Sequence, residues 1–262
     1  NMSTCIKRFG TTVTNGTTTS KLNSTSVSVS EGLGLQTAKS LGIKGSTAVF
    51  NVGSPKGSVS INGYLESGFD ISAGMATTNN NSIGVSAGPY SLPSPCTLTS
   101  MNVNITPGAI ITTSRTFNYI GALGEVTPPA TSNDPITVGT PATVQLAGYN
   151  AIGGSVDVKS ATWSLSQSYQ EIEVMGFNDP IVVYNEGTIV LEIKGASLTD
   201  QLTSDTYSSC IAEAKDYTLT VKDCDDNTMG TLTITSGYMQ DRGSSAAIDN
   251  VEAPGVKIIQ FI

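Results

Sequence analysis

The feature that most restricts what this chain can fold into is a strand pattern that recurs with fixed spacing. Ser26-Val27-Ser28-Val29-Ser30 leads through a turn to Leu41-Gly42, and Ser160-Ala161-Thr162-Trp163-Ser164-Leu165-Ser166 leads through Gln170 to Val174-Met175-Gly176, with sixteen positions from serine to glycine in both. A middle copy with a longer turn runs from Ser100-Met101-Asn102-Val103-Asn104-Ile105 through Phe117 and Tyr119 to Ile120-Gly121. The outer copies are followed by the similar strands Gly57–Gly63 and Gly187–Ile193. Apolar residues alternate with Ser, Thr and Asn throughout, which is the period of a strand with one buried face and one wet face. Each unit reads as a long hairpin with a polar face, closed by a glycine and followed by another strand.

The same alternation covers Tyr217, Leu219 and Val221, and then Leu232 and Ile234, so strands run along the whole chain. Composition agrees: Ser and Thr make up about a quarter of the 262 residues, Gly numbers 27 and only 13% are charged, which favours strands and turns over helices. One segment departs from the pattern. Tyr207, Cys210, Ile211 and Ala214 have helical spacing, with Ser204 or Asp205 as a cap, and predict a short helix between Thr203 and Lys215. Thr11 to Ser20 is too poor in apolar residues to fold alone and reads as an arm or loop ordered only on assembly. Pro89, Pro93 and Pro95 mark one linker or loop and Pro128, Pro129, Pro135 and Pro141 another. The fold class is therefore all-β, with tandem sandwich or barrel units over residues 1–97 and 98–262.

Charge changes sign at that junction. Residues 1–97 hold six basic and three acidic side chains, whereas residues 98–262 hold seven basic and eighteen acidic ones. Clustered Lys and Arg for gripping a nucleic-acid backbone are missing. The plainer reading of the asymmetry is charge that keeps a surface soluble, and the sharper one is oppositely charged faces that meet when copies stack. Cys5, Cys96, Cys210 and Cys224 are far apart and the chain has no His, so free thiols are expected and neither a metal site nor a cofactor is. No apolar run is long enough to span a bilayer, and no charged leader precedes an apolar stretch. Neither export by that route nor a membrane partner is expected, although Met2 is not the first residue.

The segment Ser160 to Gly176, then Asp179-Pro180, then Gly187 to Gly195, resembles the repeated sheet segment of the tail tube (major tail) proteins of tailed bacteriophages. Tyr217 to Asp223, Gly230 to Ile234 and the final strand Val256 to Phe261 resemble the end of that family. The resemblance covers most of residues 156–262 and, more weakly, 20–65 and 98–125. It implies a structural virion protein assembled in the host cytoplasm, with no catalytic site and no cofactor. Its copies would form sixfold or pseudo-sixfold rings, stacked head to tail on one another, around a lumen that conducts DNA during ejection, and other tail proteins would be further partners. An acidic wall is expected there, because negative charge repels phosphates. The alternative is a β-sandwich adhesin or receptor-binding module, which would share the composition.

Three motifs invite other chemistry. Gly84-Val85-Ser86-Ala87-Gly88 matches the nucleophile elbow of α/β-hydrolases. Prolines follow where a helix is needed and no His can act as base, so a glycine-rich loop is expected instead. Asp223, Asp225, Asp226 and Asn227 loosely resemble a calcium loop, but Thr228 and Ile234 occupy the positions that require Gly and Glu, which leaves a turn. Glu171 and Glu173 would share one side of a strand as paired carboxylates do in glycosidases, and a solvated face is the plainer reading. Trp163, the only tryptophan, reads as a core anchor.

Overall fold

The computed structural model describes residues 11–15, 18–38, 48–51, 53–65, 68–71, 83–87, 90–93, 96–125, 140–147, 156–175, 180–194, 214–243, 246–247, 250–251 and 255–262. All regular structure among them is β. In chain order the strands are β1 (Thr11–Asn15), β2 (Thr18–Gly32), β3 (Leu35–Ala38), β4 (Ala48–Asn51), β5 (Lys56–Tyr64), β6 (Phe69–Ile71), β7 (Ile83–Ala87), β8 (Tyr90–Ser91), β9 (Cys96–Ile105), β10 (Thr112–Ile120) and β11 (Gly124–Glu125). There follow β12 (Thr143–Ala147), β13 (Val156–Asp157), β14 (Ser160–Ser166), β15 (Tyr169–Ile172), β16 (Ile181–Tyr184), β17 (Thr188–Lys194), β18 (Lys215–Lys222), β19 (Thr228–Gly243), β20 (Ala246–Ala247), β21 (Asn250–Val251) and β22 (Gly255–Phe261).

One large sheet dominates, and its centre is eight segments in the order β2, β5, β10, β9, β14, β17, β22 and β19, each neighbouring pair antiparallel. The three sequence repeats become three adjacent hairpins: β2 with β5, β9 with β10, and β14 with β17. Residue 97 lies within β9, and hairpins from both sides of it stand in this single sheet. Alternation decides which face packs. Val59, Ile61, Met101, Val103, Phe117, Trp163, Leu165, Ile189, Leu191 and Ile258 all point to one side and are at most 2% exposed. Trp163 is fully buried, as its flanking pattern requires.

Both edges of this central sheet bend back to cover that apolar side. β2 pairs with β5 through its later residues and with β1 through Thr18 to Leu22, and a register shift between Ser24 and Ser26 marks the bend. β1 continues to β7, β8 and β11. At the other edge β19 gives its second half to β22 and its first half to β18 and β6, and β18 leads on to β12 and β13. Strands that change layers at a bulge are how a sandwich makes its corners. Val85, Ala87 and Leu92 from one flap, and Val144, Leu146, Leu219, Val221 and Leu232 from the other, join one continuous core with the central sheet.

The corner in β19 is built by side chains from distant segments. Ser236 has a left-handed backbone, with φ of 52°, a conformation that costs a residue with a Cβ roughly 1–2 kcal/mol. Asp216 Oδ1 accepts the Ser236 amide at 2.8 Å, and Gln260 Oε1 accepts the Thr235 amide at 3.2 Å. These acceptors replace ladder bonds that the bend removes. A Cβ at the following Gly237 would sit 2.6 Å from Ile234 Cγ2 and 3.0 Å from Ile258 Cγ2, so the two layers close only over a glycine.

Thr11 to Ser20 does not form a free arm: its described residues are β1 and the start of β2, and β1 pairs on its other side with β7, Val13 lying opposite Val85. A nonlocal strand supplies the partner that the segment lacks within itself. The helix expected between Thr203 and Lys215 falls almost wholly outside the described residues, and Lys215 itself opens β18.

Candidate interaction surface

The opposite face of the central sheet carries no covering layer over most of its width. Ser28, Ser60, Thr116, Ser100 and Ser166 form a row across β2, β5, β10, β9 and β14, each directly opposite the next. Ser26, Asn62, Ser114, Asn102 and Ser164 form the next row. Every member is Ser, Thr or Asn. Within the rows Asn62 Nδ2 bonds Ser26 Oγ at 3.1 Å, and beside them the Ser30 and Ser58 hydroxyls bond at 2.9 Å and Thr162 Oγ1 bonds Asn104 Oδ1 at 3.2 Å, while the buried Asn102 Oδ1 has no partner among the described residues. The second row then continues through Val190, Ile259 and Tyr238, so the face becomes apolar toward the β19 edge. Tyr238 meets Phe261 there with ring centroids 6.3 Å apart. Charge is sparse, and the Lys257 ammonium lies 3.6 Å from Glu192.

Two-stranded arms continue the outer repeats. β3 and β4 pair between β2 and β5, and β15 and β16 pair between β14 and β17. Both leave the same end of the sheet, since Glu171 in one repeat forms an ion pair with Lys56 at the base of the other. The β15–β16 arm turns across the polar face, where Tyr184 Oη and Thr97 Oγ1 are hydrogen-bonded at 2.9 Å and Tyr169 meets the Asn118 side chain. The arms also present apolar side chains to solvent: Leu35, Val49, Ile172, Ile181 and Val183, with Met175 beyond β15 fully exposed. Large exposed apolar residues gathered at one end of a molecule mark a contact surface.

The central sheet has two open edges among the described residues. β2 is paired on one side only from Asn23 to Gly32, and so is β19 from Tyr238 to Gly243. Seven antiparallel pairings separate them, so the two edges run in opposite directions. Between Asn23 and Ser30 the β2 edge contains no charge and no proline, the devices with which proteins blunt exposed edges.

Ser86 lies inside β7 and faces Thr12 and Ser91 in register, so the expected loop is a strand, and no strand-to-helix turn presents its hydroxyl. Ile83, Val85 and Ala87 supply the strand alternation. Asp223 caps the β18–β19 turn, its Oδ1 accepting the amides of Asp225 and Asn227, both at 2.9 Å, while Asp226 takes a left-handed φ of 64°. The backbone bond from Asn227 leads in holding the Asp223 carboxyl below the usual carboxylate range. Glu171 is engaged by Lys56, whereas Glu173 is exposed past the end of β15, so the two do not form a carboxylate pair. Cys96 is free and buried, Cys224 free and exposed; Cys5 and Cys210 lie outside the described residues. Sequence reasoning missed Arg115, an inward-facing side chain in β10 that is 9% exposed and pushed down to about 10 by burial. Its signal is a charged residue at an apolar position of the alternation, between Thr113 and Phe117.

No protein-family model matches the chain, and no curated protein matches it.

Proposed function

We propose that this chain is the structural subunit of a self-assembling tube of the phage tail-tube kind, its repeats acting as tandem tube-type units joined in one sheet. The observation that carries the reading is the pair of open edges. Repeating the central sheet sideways brings the β19 edge of one copy against the β2 edge of the next in antiparallel register, as all internal neighbours already are. Such head-to-tail contacts generate a ring when the rotation closes. A closed ring leaves no edge strand exposed. The apolar arms, standing at one end, supply contacts between stacked rings. A lumen of this kind conducts DNA.

Negative-stain microscopy tests the reading. Purified protein should form rings or tubes of uniform diameter, and Val27→Lys, which puts a charge on the half-exposed edge strand, should stay folded by circular dichroism yet remain dispersed. Wild-type protein that stays monomeric at high concentration, or that binds glycans as a monomer as an adhesin would, refutes the proposal. Normal tubes from Val27→Lys refute the edge contact.

A further inference from the structure

We infer that the Ser, Thr and Asn rows of the central sheet face the channel of the assembled ring and form an electrically neutral wall along which a polyanion slides without being held. This rests on the edge-joined ring proposed above, and it names what the inside of that ring is made of.

Geometry selects the face. Packed sheets stand about 10 Å apart, and both flaps of this protein lie on the apolar side of the central sheet. When a layered sheet closes into a ring, the side with the extra layer needs the larger circumference. The flaps therefore go outside, and the uncovered polar face goes inside.

Chemistry then gives the face its property. The rows hold no Lys or Arg, so a duplex passing them releases no counterions and gains no electrostatic binding. They hold no Asp or Glu either, which departs from the acidic wall that the resemblance implies. Some of the polar groups are occupied with each other, as in the Asn62–Ser26 and Ser60–Thr116 bonds, and neutral hydroxyls and amides bond phosphate more weakly than cationic side chains do. Charges enter beyond the rows, as where Glu192, Lys257 and Asp241 stand in one register row.

Two measurements on assembled protein test this. Ser114→Cys places a thiol at the centre of the rows, and Cys224 serves as a native exposed control. In dispersed subunits a small maleimide and a polymer-linked maleimide should both modify the two sites. In tubes the small reagent should reach both, while the polymer-linked one reaches Cys224 and not the thiol of Ser114→Cys. Tubes in which the polymer-linked reagent labels that thiol overturn the inference and leave the tube intact; absence of tubes overturns both. In the second measurement Ser100→Lys/Asn104→Lys tubes should retain duplex DNA at low salt roughly tenfold better than wild type, and lose it as salt rises. Equal retention by both tubes overturns the inference.

Discussion

Tyr119 donates its phenolic hydrogen to the backbone carbonyl of Ser30 at 2.9 Å, reaching across β5 at Gly57, where no side chain stands in the way. A Cβ at this position would collide with both partners, the Ser30 oxygen and the Tyr119 ring. The bond ties the first repeat to the middle one, because Ser30 belongs to β2 and Tyr119 to β10.

Gly57→Ala should therefore destabilise the fold by about 1–3 kcal/mol, the usual range for overpacking. Tyr119→Phe, which removes only the hydroxyl, should cost about 0.5–1.5 kcal/mol. Urea denaturation followed by tryptophan fluorescence measures both through the buried Trp163, and a smaller loss for Gly57→Ala than for Tyr119→Phe would contradict the packing argument.

The β19 corner yields a pair of opposite effects. Ser236→Gly relieves the left-handed backbone and should raise stability by about 0.5–1 kcal/mol. Asp216→Ala strips the acceptor from the Ser236 amide and should lower it by about 1 kcal/mol. Thermal melts of the two variants should move in opposite directions.

Burial pushes the Cys96 thiol from 9.0 up to about 12. Because the folded state holds this proton more tightly, the contribution is complete below pH 9 and is lost as pH rises toward 12. Cys96→Ala should flatten the fall in stability over that window, measured by denaturation at stepped pH. Cys96 should also resist thiol reagents in folded protein while Cys224 reacts readily.

Asp223 works in the other direction. Its folded carboxyl lies below the ordinary 3.8, chiefly through the Asn227 backbone bond, so the turn is supported above that value and weakens as pH falls through the folded one. The Asn227 amide resonance should shift with acid in wild type, and Asp223→Ala should abolish that shift.

Arg115 has no counterion in the described core. Arg115→Met keeps its length and removes a buried charge, and should raise stability by about 1–3 kcal/mol. A loss of stability would mean that the guanidinium has a partner in the folded protein.

The repeats were legible because alternation and spacing are local, and Ser26–Ser30, Ser100–Ile105 and Ser160–Ser166 each carry their own face assignment. The corner was not legible. The alternation reads only Leu232 and Ile234 as strand, and the groups that bend the chain beyond them, Asp216 and Gln260, act from other strands. The β1 hairpin was missed for a similar reason, since its second neighbour, β7, is about seventy residues away in sequence. The polar rows could be read residue by residue, but their merger into one surface depends on the order β2, β5, β10, β9, β14, which only the fold supplies.

That order limits how such a chain can lengthen or shorten. β2 with β5, β9 with β10, and β14 with β17 each enter the sheet as an up-and-down couple, so gaining or losing a whole couple leaves the two outer strands pointing as they do now. A single strand gained or lost reverses one of them, and in the ring proposed above such a molecule would no longer match its own copy. In that ring, tolerated insertions and deletions would come as whole hairpins or fall in the arms and flaps, so that the parity of the central sheet would be kept.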